Sequence, residues 1–192
     1  MKVRESEMPE LAQWESYFDP PLVIEKLGLG HQTGDIVEFG CGYGTFTIPL
    51  AAVTNGTVHA IDVDQAMLDT TARRAAQLGL GNIVFVETDF MRDGCGLADG
   101  AAVAVVLFNI LHAENPVALL GEARRAVAPG GRIAAIHWNY DPETPRGPPM
   151  SIRPLPEDYP RWAEAAGLEC GPLIDLPPHH YGYVFRHPLS GG

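Results

Sequence analysis

Glu38-Phe39-Gly40-Cys41-Gly42-Tyr43-Gly44 decides how this chain reads. It grows out of a short apolar run, Asp35 to Phe39 (DIVEF), with the character of a strand. Three alternating glycines directly after a strand let the backbone turn tightly and approach a ligand with no Cβ in the way. In an open α/β sheet, ligands sit outside the carboxyl ends of the strands, near the point where strand order reverses. A dinucleotide fingerprint, G-x-G-x-x-G, needs its third glycine at position 45, and Thr45 stands there. The pattern is instead acid-x-G-x-G-x-G, with Glu38 as the acid.

Beyond the turn, short apolar runs alternate with helical patterns. Thr57 to Asp62 (TVHAID) is β-branched and breaks at an acid, and Ile83 to Val86 (IVFV) does the same before Glu87, Thr88 and Asp89. Ala101 to Phe108 (AAVAVVLF) is a continuous apolar run, as expected of a strand buried on both faces. Gly131 to Trp138 (GRIAAIHW) follows the turn Pro129-Gly130-Gly131. Asp64 is a cap for a helix running to Leu78, with Gly79 as its stop. Asn115-Pro116 opens a second helix through Val127, and a third covers about 156–166. Pro49 and Pro160 both strain their helices unless they fall in a first turn. Such alternation predicts a parallel sheet with helices on both faces, joined by right-handed crossovers. Leu173 to Leu176 and Tyr181 to Phe185 flank Pro177-Pro178-His179-His180 and read as an antiparallel pair closing the sheet.

The 192 residues suit one domain, 1–192, with a core large enough to need no disulfide or metal. Apolar residues make up 46% and charged residues 19%, which argues against wholesale disorder. Lys and Arg number 13 against 24 Asp and Glu, for a net charge of −11. A phosphate backbone is neutralised by clustered Lys and Arg, so a nucleic-acid partner is disfavoured. Cys41, Cys95 and Cys170 form no CxxC pair, which speaks for a reducing, cytoplasmic location. The opening MKVRESEMPE has no apolar core of a secretory signal, and no apolar run is long enough to span a bilayer.

In order and spacing, these elements resemble the class I S-adenosylmethionine-dependent methyltransferases from about Asp35 to the last strand. The glycine turn is similar to that family's first motif. Asp62 ends the second strand and Asp89-Phe90 follows the third. Phe108-Asn109-Ile110-Leu111-His112 follows the fourth strand, and Val127-Ala128-Pro129-Gly130-Gly131 precedes the fifth. The resemblance implies a Rossmann-like three-layer sandwich whose seven-stranded sheet is mostly parallel with an antiparallel C-terminal strand. It implies S-adenosyl-L-methionine as cofactor, with Phe39, Gly40, Cys41, Gly42, Gly44 and Thr45 at the turn that admits its methionine part and ribose. Asp62 would accept from the ribose hydroxyls and Asp89 from the adenine amine, with Phe90 or Val63 against the ring. Glu38 would lie near the sulfonium, and Phe108 and Asn109 along the methionine tail. Asp62 and Asp89 also have a plainer reading, as caps of the turns they begin.

Methyl transfer from a sulfonium releases a neutral thioether, so no general acid is required and positioning supplies much of the acceleration. A base is needed where the acceptor is a hydroxyl, an acidic C–H or a protonated amine. His112 and His137 are the candidates; the alternative is a loop cap and a satisfied strand-end residue. Their spacing does not fit a helical metal site, and His179-His180 reads as a turn. The Pro/Arg-rich segment 139–156 is expected to wall the acceptor site, with Arg146 and Arg153 either clamping a carboxylate or phosphate or pairing with the chain's own acids. Residues 1–30 are expected to form a helical lid or anchor, in which Trp14, Tyr17 and Phe18 close over the site or fasten the first helix, and Tyr17 lies near the cofactor. The leading function is methyl transfer to a small-molecule acceptor. The alternatives are a non-catalytic or regulatory S-adenosylmethionine binder and a nicotinamide-dependent oxidoreductase, which Thr45 argues against.

Overall fold

Five apolar runs pair in parallel in the computed structural model, which describes residues 9–189. β1 (Ile36–Phe39), β2 (Val58–Asp62), β3 (Ile83–Glu87), β4 (Ala102–Phe108) and β5 (Val127–Trp138) lie in the order β3-β2-β1-β4-β5. Chain direction along this order reverses between β1 and β4, so a crevice opens at their carboxyl ends. β8 (His180–Arg186) runs antiparallel to β5, from Trp138↔His180 to Arg132↔Arg186. Its outer edge carries two short strands end to end. β7 (Ile174–Leu176) pairs with 180–182 and β6 (Glu169–Cys170) with 185–186. The sheet thus holds eight strands in seven lanes, and the additional strand, β6, is too short to leave a sequence signal.

Strand periodicity sorts side chains to two faces. Val37, Phe39, Val105, Leu107, Ile133 and Ala135 point one way, into a layer formed by α5 (Pro116–Ala126) and α6 (Asp158–Ala165). Ile36, Ala104, Val106, Phe108, Ala134 and Ile136 point the other way, against α2 (Pro20–Lys26) and α3 (Thr47–Val53). α4 (Gln65–Gln77) covers β2 and β3 on that second face, and α1 (Leu11–Glu15) lies ahead of α2. Buried on both faces, β4 reads as the unbroken apolar run that it is.

Local chemistry sets the helix starts. The side chains of Asp64 and Asn115 accept from the backbone N–H groups of Ala66 and Ala118, each at 2.9 Å. α3 begins at Thr47 and α6 at Asp158, so Pro49 and Pro160 both fall in a first turn, where no intrahelical donor is lost. α5 stops one residue earlier than its apolar pattern suggests. Val127 already pairs with Ala102, and the register then jumps to Ala104↔Arg132 as Pro129-Gly130-Gly131 bulges out of β5. No helix among the described residues is long and apolar enough to cross a membrane. Residues 1–8, which carry most of the MKVRESEMPE reading and the start of the 1–30 segment, lie outside the described residues.

Gly121 sits inside α5, and nothing lies within 4 Å of where its Cβ would be. Gly121→Ala should therefore stabilise the fold by about 0.5–1 kcal/mol, read as a higher urea midpoint with an unchanged slope.

Candidate functional site

The glycine turn is built as its spacing demands. Gly40, Gly42 and Gly44 have φ of 75°, 52° and 76°, in the left-handed region where a Cβ is strained. A Cβ on Gly44 would also stand 2.4 Å from Cγ2 of Thr71. Both Gly40 and Cys41 donate their N–H to the carbonyl of Ile61, at 2.8 and 3.0 Å, which ties the turn to β2. α4 holds it from the other side: Thr71 Oγ1 donates to the Gly42 carbonyl at 2.9 Å, and Arg74 donates to the Tyr43 carbonyl. The same Arg74 pairs with Glu15, so α1 is fastened to the turn as well.

Asp62, at the end of β2, reaches into this turn. One carboxylate oxygen accepts from Gly42 N–H at 2.9 Å and the other from Asp64 N–H at 3.0 Å. A carboxylate offers about four lone-pair positions, so each oxygen keeps room for one further donor. Burial pushes its pKa up, against the opposing pull of the backbone amides of Gly42, Asp64 and Val63. Glu38, the acid of the turn motif, is 2% exposed and accepts from Thr47 Oγ1. Burial pushes it up to about 8, partly offset by the Thr47 hydroxyl and reinforced by the Asp62 charge. Cys41 is buried beside both carboxyls, and its thiol is pushed far up, foremost by burial.

These groups open onto a cavity of about 520 Å³ at the carboxyl ends of β1, β2, β4 and β5. Of the residues singled out in the sequence, Glu38, Gly40, Cys41, Gly42, Thr45, Asp62, Val63, Phe90, Phe108, Asn109, His112 and Arg146 line it. Buried polar atoms on the wall, among them Thr45 Oγ1, Asn109 Oδ1 and Arg146 Nε, have no hydrogen-bond partner among the described residues. Asn109 adopts φ +58°, unusual for a residue with a side chain. Buried polar groups without partners and a backbone held off its preferred region mark a surface shaped for a ligand.

Six expected residues stand elsewhere. Phe39 is fully buried and stacks on Phe90 at 4.9 Å, so it supports that ring from behind. Gly44 packs on α4. Asp89 accepts from the Met91 N–H at 3.2 Å and is off the wall. Tyr17 packs edge-on against Trp138 at 5.4 Å, while Trp14 takes the place on the wall expected of Tyr17. His137 is fully buried, behind His112, with His112 Nδ1 3.3 Å from His137 Nε2. Burial, and the His112 ring beside it, hold His137 well below the ordinary imidazole value, so it stays neutral. Arg153 is a clamp on its own loop. Its guanidinium donates to the carbonyls of Asn139, Asp141 and Pro148 and to Thr144 Oγ1, at 2.6 to 3.1 Å. Sequence reasoning misses Phe46, Asp64 and Met67 as wall residues. The last two sit at the start of the helix after Asp62, a place that faces the same crevice.

The residues present suit a nucleoside bearing an amino-acid sulfonium: a turn without Cβ atoms, a carboxylate with spare acceptor positions, a second buried carboxyl, and unsatisfied polar atoms between them. The profile of the family described as a methyltransferase domain matches residues 36–131. The chain belongs to the class I S-adenosylmethionine-dependent methyltransferase family. This methyltransferase fold is similar to that of a SAM dependent methyltransferase from Aquifex aeolicus, with a TM-score of 0.80 at 23% identity over 93% of this chain and 94% of that one. In sequence it is 30% identical over 150 residues to dimethylglycine N-methyltransferase of Parasynechococcus marenigrum, covering 71% of this chain and 52% of that protein. It is 35% identical over 103 residues to ribosomal protein L11 methyltransferase of Methylococcus capsulatus, covering 53% of this chain and 32% of that protein. The chain spans about a quarter to a half of the length of such curated relatives.

The buried titratable groups make opposite demands on pH. His137, and His180, whose burial lowers it to about 3, are neutral in the fold, whereas the unfolded chain takes up protons below about pH 6.5. Stability should fall as pH drops below that value. Glu38 acts the other way: its contribution is complete below about 4.5 and is lost as pH rises through about 8. Each tenfold difference in proton affinity between the folded and unfolded chain is worth about 1.4 kcal/mol. Glu38→Gln should therefore match the wild type in urea denaturation at pH 5 and exceed it by a few kcal/mol at pH 9.

Proposed function

We propose that this chain transfers a methyl group from S-adenosyl-L-methionine to a small-molecule acceptor. The observation that carries the reading is the Asp62 carboxylate bonded across the glycine turn, at the mouth of a cavity whose other acid, Glu38, is buried. Asp62 would accept from the two ribose hydroxyls with its spare lone pairs, and Val63 and Phe90 offer apolar surface to the adenine. Asn109 Oδ1 and Thr45 Oγ1 would gain partners along the methionine part. When bound, the cofactor supplies an electrophilic methyl on a sulfonium that departs as a neutral thioether.

The chain's own work is to orient, to exclude water and to manage one charge and one proton. Glu38 gives up its proton and offers negative charge to the sulfonium in a low-dielectric site. His112, buried and on the wall, takes the proton from an acceptor whose nucleophile carries one, and His137 fixes the orientation of its ring. Trp14 and residues 146–148 of the 139–156 segment line the cavity, whose size suits a metabolite better than a macromolecule. The names of two relatives, dimethylglycine N-methyltransferase and N-demethylindolmycin N-methyltransferase, denote small acceptors for those proteins. The free thiols and the acidic charge fit a cytoplasmic enzyme that does not engage nucleic acid.

Calorimetry with S-adenosylmethionine and S-adenosylhomocysteine tests the reading, followed by transfer of labelled methyl to a metabolite extract. No affinity for either compound would sink it. Asp62→Asn should weaken both by about 10- to 100-fold, because charge-assisted hydrogen bonds are lost and an amide donor then faces a backbone donor. The preference of the wild type for the sulfonium over the thioether should grow as pH rises towards about 8, since cation binding needs ionised Glu38. In Glu38→Gln that preference should be flat with pH.

A further inference from the structure

The cavity wall carries a charge that the proposed cofactor does not use. Among the described residues, Arg146 is the one Lys or Arg that lines it. Its Nε is buried with no hydrogen-bond partner, and it makes no ion pair among the described residues. Arg74, Arg92, Arg125 and Arg161 are matched to carboxylates, whereas Arg146 combines the lack of such a partner with a place on the cavity wall.

Arg146 is also held in place. Arg153 is buried, and its guanidinium gathers the carbonyls of residues 139, 141, 146 and 148, so the loop is wound around a cation. Gly147 has φ +126°, and a Cβ there would stand 2.7 Å from Arg153 Nη2 and 2.9 Å from Cγ of Trp138. The loop is thereby pressed onto the Trp138 ring, with Arg146 beside it. Trp14 meets Trp138 nearly edge-to-face at 6.2 Å, and both line the cavity. A guanidinium with an unused Nε–H thus shares one wall with the half-buried Trp14 ring, which the buried Trp138 backs.

We infer that the methyl acceptor is a small carboxylic acid, its carboxylate held by Arg146 and its apolar body against Trp14. A carboxylate accepts two parallel N–H bonds from a guanidinium fork, which fixes its orientation as well as its charge. One charge is the right number. Glu38, Asp62 and Asp64 share the same wall, and a dianionic phosphate would face three acids with one arginine. Arg153 is a positioning residue that presents Arg146. The inference rests on the cavity being a methyl-transfer site, so it is tested on protein already saturated with S-adenosylhomocysteine.

Benzoate, phenylacetate and indole-3-acetate are each titrated against their neutral amides and their phosphonate counterparts. Binding is read by calorimetry and by the NMR signal of the arginine Nε–H groups. At least one carboxylate should bind ten-fold or more tightly than its amide and shift a single buried Nε–H resonance, which is missing in Arg146→Gln. Arg146→Gln should bring the carboxylate-to-amide ratio to about one and leave S-adenosylhomocysteine affinity unchanged, and Arg146→Lys should keep part of the ratio. Arg153→Lys should lower the ratio while the cofactor still binds, a change that simple loss of stability does not produce. Equal binding of every acid and its amide would overturn the inference, as would a phosphonate preferred over its carboxylate. Loss of S-adenosylhomocysteine affinity in Arg146→Gln would also overturn it, by giving Arg146 to the cofactor. Absence of that affinity in the wild type would instead remove the reading beneath it.

Discussion

The fold converges on one carboxylate. Asp62 ends β2, yet its side chain crosses to the turn after β1 and on to the start of α4, accepting an N–H from each. Neither segment has a regular partner of its own there, since one is a turn of left-handed glycines and the other a helix entry. Two charge-assisted hydrogen bonds, each worth about 1.5–3 kcal/mol, therefore fix the geometry of the crevice. Thr71 and Arg74 repeat the tie from further along α4. The turn is thus rigid where a ligand would need it rigid, and the same acid remains partly unsaturated on the side that faces the cavity.

Placing acids in such a spot is costly for the empty protein. Glu38 lies beneath the turn, 2% exposed, near the Asp62 charge and with a single hydroxyl in support. Burial of this kind opposes stability and is tolerated where a binding partner can compensate. A cation in the cavity would do so. A neutral ligand of the same shape would not, and under the proposed function that difference would tell substrate from product.

What could be read in advance follows the range of the interactions. β1 to β5 and the helix caps are local events, written in apolar runs, prolines and a few Asp or Asn residues, and they were legible. The wall contributed by the strand ends was legible for the same reason, since β-strand ends and their turns carry Glu38, Asp62, Phe108 and Asn109 to one rim. Arg153 was not. Five residues of its own loop use its donors, and nothing in a Pro/Arg-rich segment tells an arginine that faces outward from one that serves as the loop's core. His137 follows the strand period into the face beneath the site, where packing with His112 rather than pattern decides its environment. Trp14 is expected either over the site or on the first helix, and what no local pattern specifies is its ring contact with Trp138, more than a hundred residues away in sequence.

The far margin of the sheet has its own significance. β6 and β7, of two and three residues, share one side of β8; between them Gly171 N–H donates to the Val184 carbonyl, and 172–173 continue outside either strand. An unbroken border of free amides and carbonyls is a template on which other chains can stack. Here the border is broken into strands of two and three residues, shorter than an incoming strand would need to pair along, which is the form edge protection commonly takes.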